Sequence, residues 1–153
     1  MAIIKLSHLL AAVLWVGGMF FAYTALRPAA METLQPPERL RLWEAVFRRF
    51  LHAVWVAIAV LVASGSAMIV SYGGMGSVPT FVHVMLLLGI LMIAVFMLAY
   101  FIGYLKLKAL VAAQQWPEAG KVLGKIRQWV ALNLTLGVLT LCVVGLGRAG
   151  YLS

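Results

Sequence analysis

Between Lys5 and Arg27 the chain carries no Lys, Arg, Asp or Glu for 21 residues, and this run leaves it few ways to fold. As a helix such a stretch is ~30 Å long, which matches the hydrocarbon core of a bilayer. Inside lipid there is no water to satisfy backbone N–H and C=O groups, so the segment must satisfy its own, as a helix does. The lone Lys5 ahead of it resembles the start of a secretion signal, but the run is too long for a signal's apolar segment. It is expected to stay as a helix. A second charge-free stretch, Phe50 to Leu105, is too long for one span, and Tyr72-Gly73-Gly74-Met75-Gly76-Ser77-Val78-Pro79 breaks it where a turn is needed. A third, Gln128 to Gly147, follows Trp116-Pro117-Glu118, where a helix is expected to restart. The reading is an all-α integral membrane protein with a single domain over 1–153. Its four transmembrane helices are expected at about 3–26, 38–71, 80–108 and 118–148.

The charges fix an orientation. Segment 27–49 holds five Arg and segment 106–127 holds five Lys or Arg, whereas Lys5 and Arg148 are the only basic residues elsewhere. Ten against two is a strong positive-inside signal. It predicts an antiparallel four-helix bundle in the inner (cytoplasmic) membrane, with both termini on the outer (periplasmic) side. In a soluble domain a net charge of +8 would suggest nucleic acid. Here 65% of the residues are hydrophobic and only 10% charged, and the basic blocks lie between apolar runs. Lipid is therefore the expected partner and nucleic acid is not.

Several chemistries are missing. The single Cys142 excludes an intramolecular disulfide, Cys-pair metal motifs and covalent haem attachment, and it reads as a small packing residue. There is no Gly-rich phosphate loop, no paired intramembrane carboxylate and no Ser/His/Asp constellation. Gly17, Gly18, Gly65, Gly89, Gly103, Gly137 and Gly145 read as small residues that let helices approach closely.

Three ionisable residues remain inside the spans, and such residues are functional candidates by default: His8, His52 and His83. His8 and His83 begin helices expected to run in the same direction, so both should lie about one turn into the outer leaflet. His52 follows Arg48-Arg49 on a helix running the other way and belongs near the inner face. Two histidines at equal depth on separate helices can ligate one haem b, and imidazole with thioether also suits copper. The face of His8 continues through Ala11, Ala12, Trp15, Gly18 and Met19. Its small residues either leave room for a flat macrocycle edged by Trp15 or make an ordinary helix contact. On the third helix His83 continues through Leu87, Ile90 and Ala94, while Met85 continues through Gly89, Met92 and Phe96, which looks more like an interior face.

The stretch Ile4 to Phe20, with its His8-x6-Trp15-x-Gly17-Gly18 pattern, resembles the first helix of CopD-like membrane proteins, a group that also includes HemJ, a protoporphyrinogen oxidase. Leu26-Arg27-Pro28-Ala29, Arg48-Arg49-Phe50 and Phe81-Val82-His83-Val84-Met85-Leu86 are similar to the same group. The resemblance implies a four-helix membrane protein associated with haem b or with copper. In HemJ it implies a first-helix His and a third-helix Lys at the haem. His8 matches the first, and Met85 stands at the Lys position with His83 two residues earlier, a departure from HemJ. The expected function is haem-b binding with electron transfer or a simple oxidoreductase reaction, the alternative being copper binding or transport without haem. The candidate cofactor-binding residues are His8, His83, Met85, Trp15, Ala12 and Gly18, with His8 and His83 as metal ligands. A quinone or other redox partner and a homo-oligomer are the further candidate partners.

Overall fold

The computed structural model describes residues 1–151. Four helices account for nearly all of them: α1 (Ala2–Thr33), α2 (Pro36–Ser71), α3 (Thr80–Ala112) and α4 (Trp116–Arg148). Each is long and apolar enough to cross a membrane, and no strand occurs among the described residues. The chain is a multi-pass membrane protein embedded in a lipid bilayer.

α1 continues past its expected end at 26, through Pro28 to Thr33. A proline lacks an N–H, and its ring crowds the carbonyl four residues back, so it would normally end the helix. Here Ala22–Leu26 form a π-helical turn just before it, and the N–H of Arg27 reaches the carbonyl of Ala22, five residues away. The widened turn takes up the strain. α3 has a longer π-helical stretch at Leu98–Tyr104. α2 opens on a capping box between Gln35 and Glu38, with Pro36 and Pro37 in its first turn. α4 opens with Pro117, and the Glu118–Lys121 ion pair closes at 2.8 Å. Between α2 and α3 the chain reverses through Gly73 and Gly74 at φ +92° and +96°, where any side chain would be strained.

α1 packs on α2 and α3 packs on α4. Along the first pair, Ser64 and Gly65 meet His8, and Gly18 meets the ring of Phe50. Along the second, Gly147 meets Phe81 and Gly103 meets Ile126 and Trp129. Gly137 receives Val16 from α1 and Met92 from α3, tying the two pairs together. Gly17, Gly89 and Gly145 have open space beside them instead. Cys142 is exposed on the helix surface rather than packed, so it faces the bilayer.

The two ends of the bundle differ in composition and packing. The Arg41 guanidinium lies over the Trp116 ring at 5.2 Å, bringing both basic segments to one end. Most of the core lies toward that basic end: Leu40, Trp43 and Phe47 on α2, Leu107 on α3, Leu123 and Ile126 on α4. At the opposite, terminal end, where Lys5 lies over the Tyr72 ring at 5.7 Å, little is buried. No residue of α3 before Met92 is buried, and none of α4 after Gly137.

Candidate functional site

His8 is set into the α1–α2 seam at the terminal end. Its helix is short of bulk on that face, with Ala11 buried and Ala12 half-buried, and α2 offers Ser64 and Gly65. A Cβ on Gly65 would lie 3.4 Å from His8 Cε1, so the glycine leaves the ring its space. Ser64 is buried. Its hydroxyl donates to the Val60 carbonyl of its own helix at 2.5 Å, and its oxygen lies 2.8 Å from His8 Nδ1. A hydroxyl has one hydrogen. Where that hydrogen goes to Val60, Ser64 can only accept from His8 Nδ1–H, and the lone pair of a neutral ring is then on Nε2. No hydrogen bond occupies Nε2 among the described residues. An outer hydrogen bond of this kind can fix a histidine's tautomer and leave its other nitrogen free.

His83 is placed differently. It is exposed, and its Nδ1 lies 3.3 Å from the Pro79 carbonyl at the start of its own helix. No hydrogen bond links it to His8. Met85 is half-buried, two residues further along. His52 is exposed on α2, with its Nδ1 bonded to the Arg48 carbonyl one turn back.

Trp15 is buried and meets Phe96 edge to face, with ring centroids 6.1 Å apart. Trp55 approaches the same Phe96 at 5.2 Å. The space beside Gly18 is filled by the Phe50 ring, so this glycine makes a helix contact rather than a ligand wall. Below Trp15 come the buried thioethers of Met19 and Met92, 2% and 4% exposed.

The donor set is therefore one half-buried imidazole, a second imidazole at the surface and several thioethers. No group of three or more His, Cys, Asp or Glu side chains converges among the described residues. That rules against a closed nitrogen-and-oxygen cage built from those side chains alone. Soft ligation by imidazole and thioether, which suits copper(I), is compatible with what is present. The pairing of His8 with Ser64 was not expected from the sequence. A Ser64-Gly65-Ser66 triplet inside a charge-free run was the available signal, because polar hydroxyls in a span tend to bond across helices.

A family model described as CopD, copper resistance protein D, matches residues 44–146. No curated protein and no solved structure matches the chain.

Proposed function

We propose, from the premise that this chain belongs to the CopD family, that it binds copper(I) at the terminal end of its bundle and handles it across the membrane. The observation that carries the reading is the contact between His8 and Ser64: a hydroxyl that donates to Val60 accepts from His8 Nδ1–H and leaves the Nε2 lone pair for a soft cation. His83 and Met85 are the further ligands we assign at that end. The thioethers of Met92 and Met19 give a copper cargo soft donors deeper in the interior. Trp15 and Ala12 line the way beside His8.

The orientation in this reading is an antiparallel bundle in the inner membrane with both termini outside. Contacts running in opposite register support the antiparallel packing: His8 with Ser64 and Gly18 with Phe50, then Phe81 with Gly147 and Gly103 with Ile126; the charge split supports the orientation. Val16 and Met92 share a level at Gly137. Counting back from that level puts His8 ~12 Å and His83 ~14 Å toward the terminal end. Cysteines at Ser77 and Gln114, in a Cys142→Ala background, test the orientation with a membrane-impermeant reagent applied outside. Labelling at 77 and not at 114 is expected, and the opposite pattern overturns the orientation.

The matched levels also favour a second reading, haem b held by His8 with His83 or Met85, passing electrons to a quinone or another redox partner. One preparation separates the two. Purified protein loaded with copper(I) under reducing conditions should retain copper after desalting and show no Soret band. His8→Ala should lose copper affinity by about 10–100-fold or more, since even an outer-shell partner is worth that much. A Soret band that disappears in His8→Ala replaces the copper reading with the haem one.

A further inference from the structure

Toward the basic end lie polar residues that copper handling does not use. A cavity of about 40 Å³ lies between α1, α2, α3 and α4, walled mostly by aromatic and aliphatic side chains. That volume is several times the ~10–15 Å³ that one water needs. Four buried polar atoms without a hydrogen-bond partner belong to residues lining it: Arg27 Nε, Arg127 Nε, Trp43 Nε1 and Asn133 Oδ1. They are the only such atoms among the described residues. Trp43 and Asn133 are each 4% exposed, so neither atom reaches solvent by moving slightly.

Buried polar groups are almost always bonded, and four orphans around one cavity indicate a missing occupant. Three are N–H donors, and two of those sit on guanidinium groups. Neither guanidinium has a carboxylate partner: the one ion pair among the described residues is Lys121–Glu118, on the surface. Both arginines are half-buried, with the Arg27 guanidinium over the Tyr23 ring at 5.2 Å, and it is their buried Nε–H groups that lack a partner and that an anion would satisfy. The planar N–H edge of arginine suits phosphate or carboxylate oxygens, and the indole N–H adds a third donor. Asn133 Oδ1 requires a donor in return, which a P–OH, a glycerol hydroxyl or a bridging water supplies. Access is also present. A wider, open groove of about 220 Å³, lined by Tyr23, Arg27, Pro28 and Met31, shares Tyr23 and Arg27 with the cavity.

We propose that Arg27, Trp43, Arg127 and Asn133 form an oxyanion site of phosphate type at the basic end of the bundle. Its occupant is either the phosphate of an anionic lipid headgroup or a free phosphate; its four polar residues are distinct from the copper ligands, although Trp15 and Met19 also line the cavity. The anion ties α1, α2 and α4 together where their own side chains leave charges unmatched.

The test is thermal unfolding of the full chain in neutral detergent. The additions are inorganic phosphate against chloride at equal ionic strength, and phosphatidylglycerol against phosphatidylcholine. A rise in melting temperature with phosphatidylglycerol alone assigns the site to lipid, and a rise with inorganic phosphate as well assigns it to a phosphate from either source. No rise with any of them overturns the proposal. Arg127→Gln should weaken the response about 10–100-fold, because hydrogen bonds to charged groups are the strong ones. Trp43→Phe should weaken it by less. If Arg127→Gln fails to fold, Asn133→Asp provides an independent readout. A carboxylate inside the cavity replaces the anion, so this variant should melt higher than the parent without additive and no longer respond to phosphate. An Asn133→Asp protein that still responds as the parent does overturns the site.

Discussion

At the basic end Leu107, Leu123 and Ile126 are sealed to within 1% of full burial, and Trp43 stacks on Phe47 with centroids 5.2 Å apart. At the terminal end α3 buries nothing before Met92 and α4 nothing after Gly137, and the imidazole of His8 is only half-covered. Both ends draw on the same apolar residue types, so hydrophobicity does not separate them. In lipid it could not: tails are as apolar as leucine, and helices associate through shape and through polar contacts. What separates the ends is fit. Around the π-helical stretch of α3, Gly103 lets Ile126 and Trp129 come close, and the rings of Trp55, Phe96 and Tyr100 meet edge to face or tilted. In the terminal halves Gly89 and Gly145 have nothing beside them, although Gly147 meets Phe81 there, and Gly120 and Gly124 are open at the basic end. The tighter packing lies at the basic end, and the looser terminal end is where His8 and His83 sit.

The sharpest way to break this comparison is to make one substitution at both ends. Leu123→Ala removes a side chain that is 1% exposed and should destabilise the protein by about 2–5 kcal/mol, toward the lower figure because lipid rather than water fills what opens. Leu87→Ala, on the exposed face of α3, should change stability by less than about 0.5 kcal/mol. Denaturant titration in micelles reads both, and equal losses would show that the ends are packed alike.

Glycines sharpen the same contrast. A Cβ on Gly103 would lie 2.6 Å from Ile126 Cγ1 and 3.1 Å from the Trp129 ring, so Gly103→Ala must push a packed helix aside, at about 1–3 kcal/mol. Gly89→Ala meets nothing within 4 Å and gains helix propensity. It should be neutral or slightly stabilising in the same titration.

Ser64→Ala probes the loose end for function rather than stability. It removes the acceptor that holds the proton on His8 Nδ1, so the tautomer and ring orientation are no longer fixed. Copper affinity should fall by about 10–100-fold, measured by competition with a copper(I) chelator, while the melting temperature changes little. A change in melting temperature without a change in affinity would make Ser64 a packing residue only.

How far the sequence foretold the fold differs between the two ends in the same way. The four spans, the Gly73-Gly74 reversal and the ten basic residues at one end were legible because each is a property of a contiguous segment. The extension of α1 through Pro28 was not, since it depends on a π turn that no residue type announces. The face of His8 was legible as a stripe of small residues, but its partner was not: Ser64 is 56 residues away and carries no charge. Gly18 was open to two readings, room for a ligand or an ordinary helix contact, and only three-dimensional contact shows the Phe50 ring beside it. The cavity at the basic end was invisible for the same reason, because its four polar residues come from three helices. Its one available signal was Asn133, the chain's only asparagine, inside the run Gln128 to Gly147.

The smallest expected effect falls on the histidine that the sequence already sets apart from the other two. His52 lies in a membrane span, as His8 and His83 do, and on residue type alone it could bind a metal. Position argues otherwise. Twelve residues of α2 separate it from Ser64, the partner of His8, which as a helix is ~18 Å along the axis. No ligand as small as a copper ion bridges that distance. Its Nδ1 is bonded to the Arg48 carbonyl, and its exposed ring follows Arg48 and Arg49, at the height where a polar side chain reaches water at the membrane edge. His52→Ala should therefore leave copper affinity, the absorption spectrum and the melting temperature within error of the parent. If it lowers copper affinity as much as His8→Ala does, copper is bound at the basic end as well, and the assignment of copper to the terminal end fails.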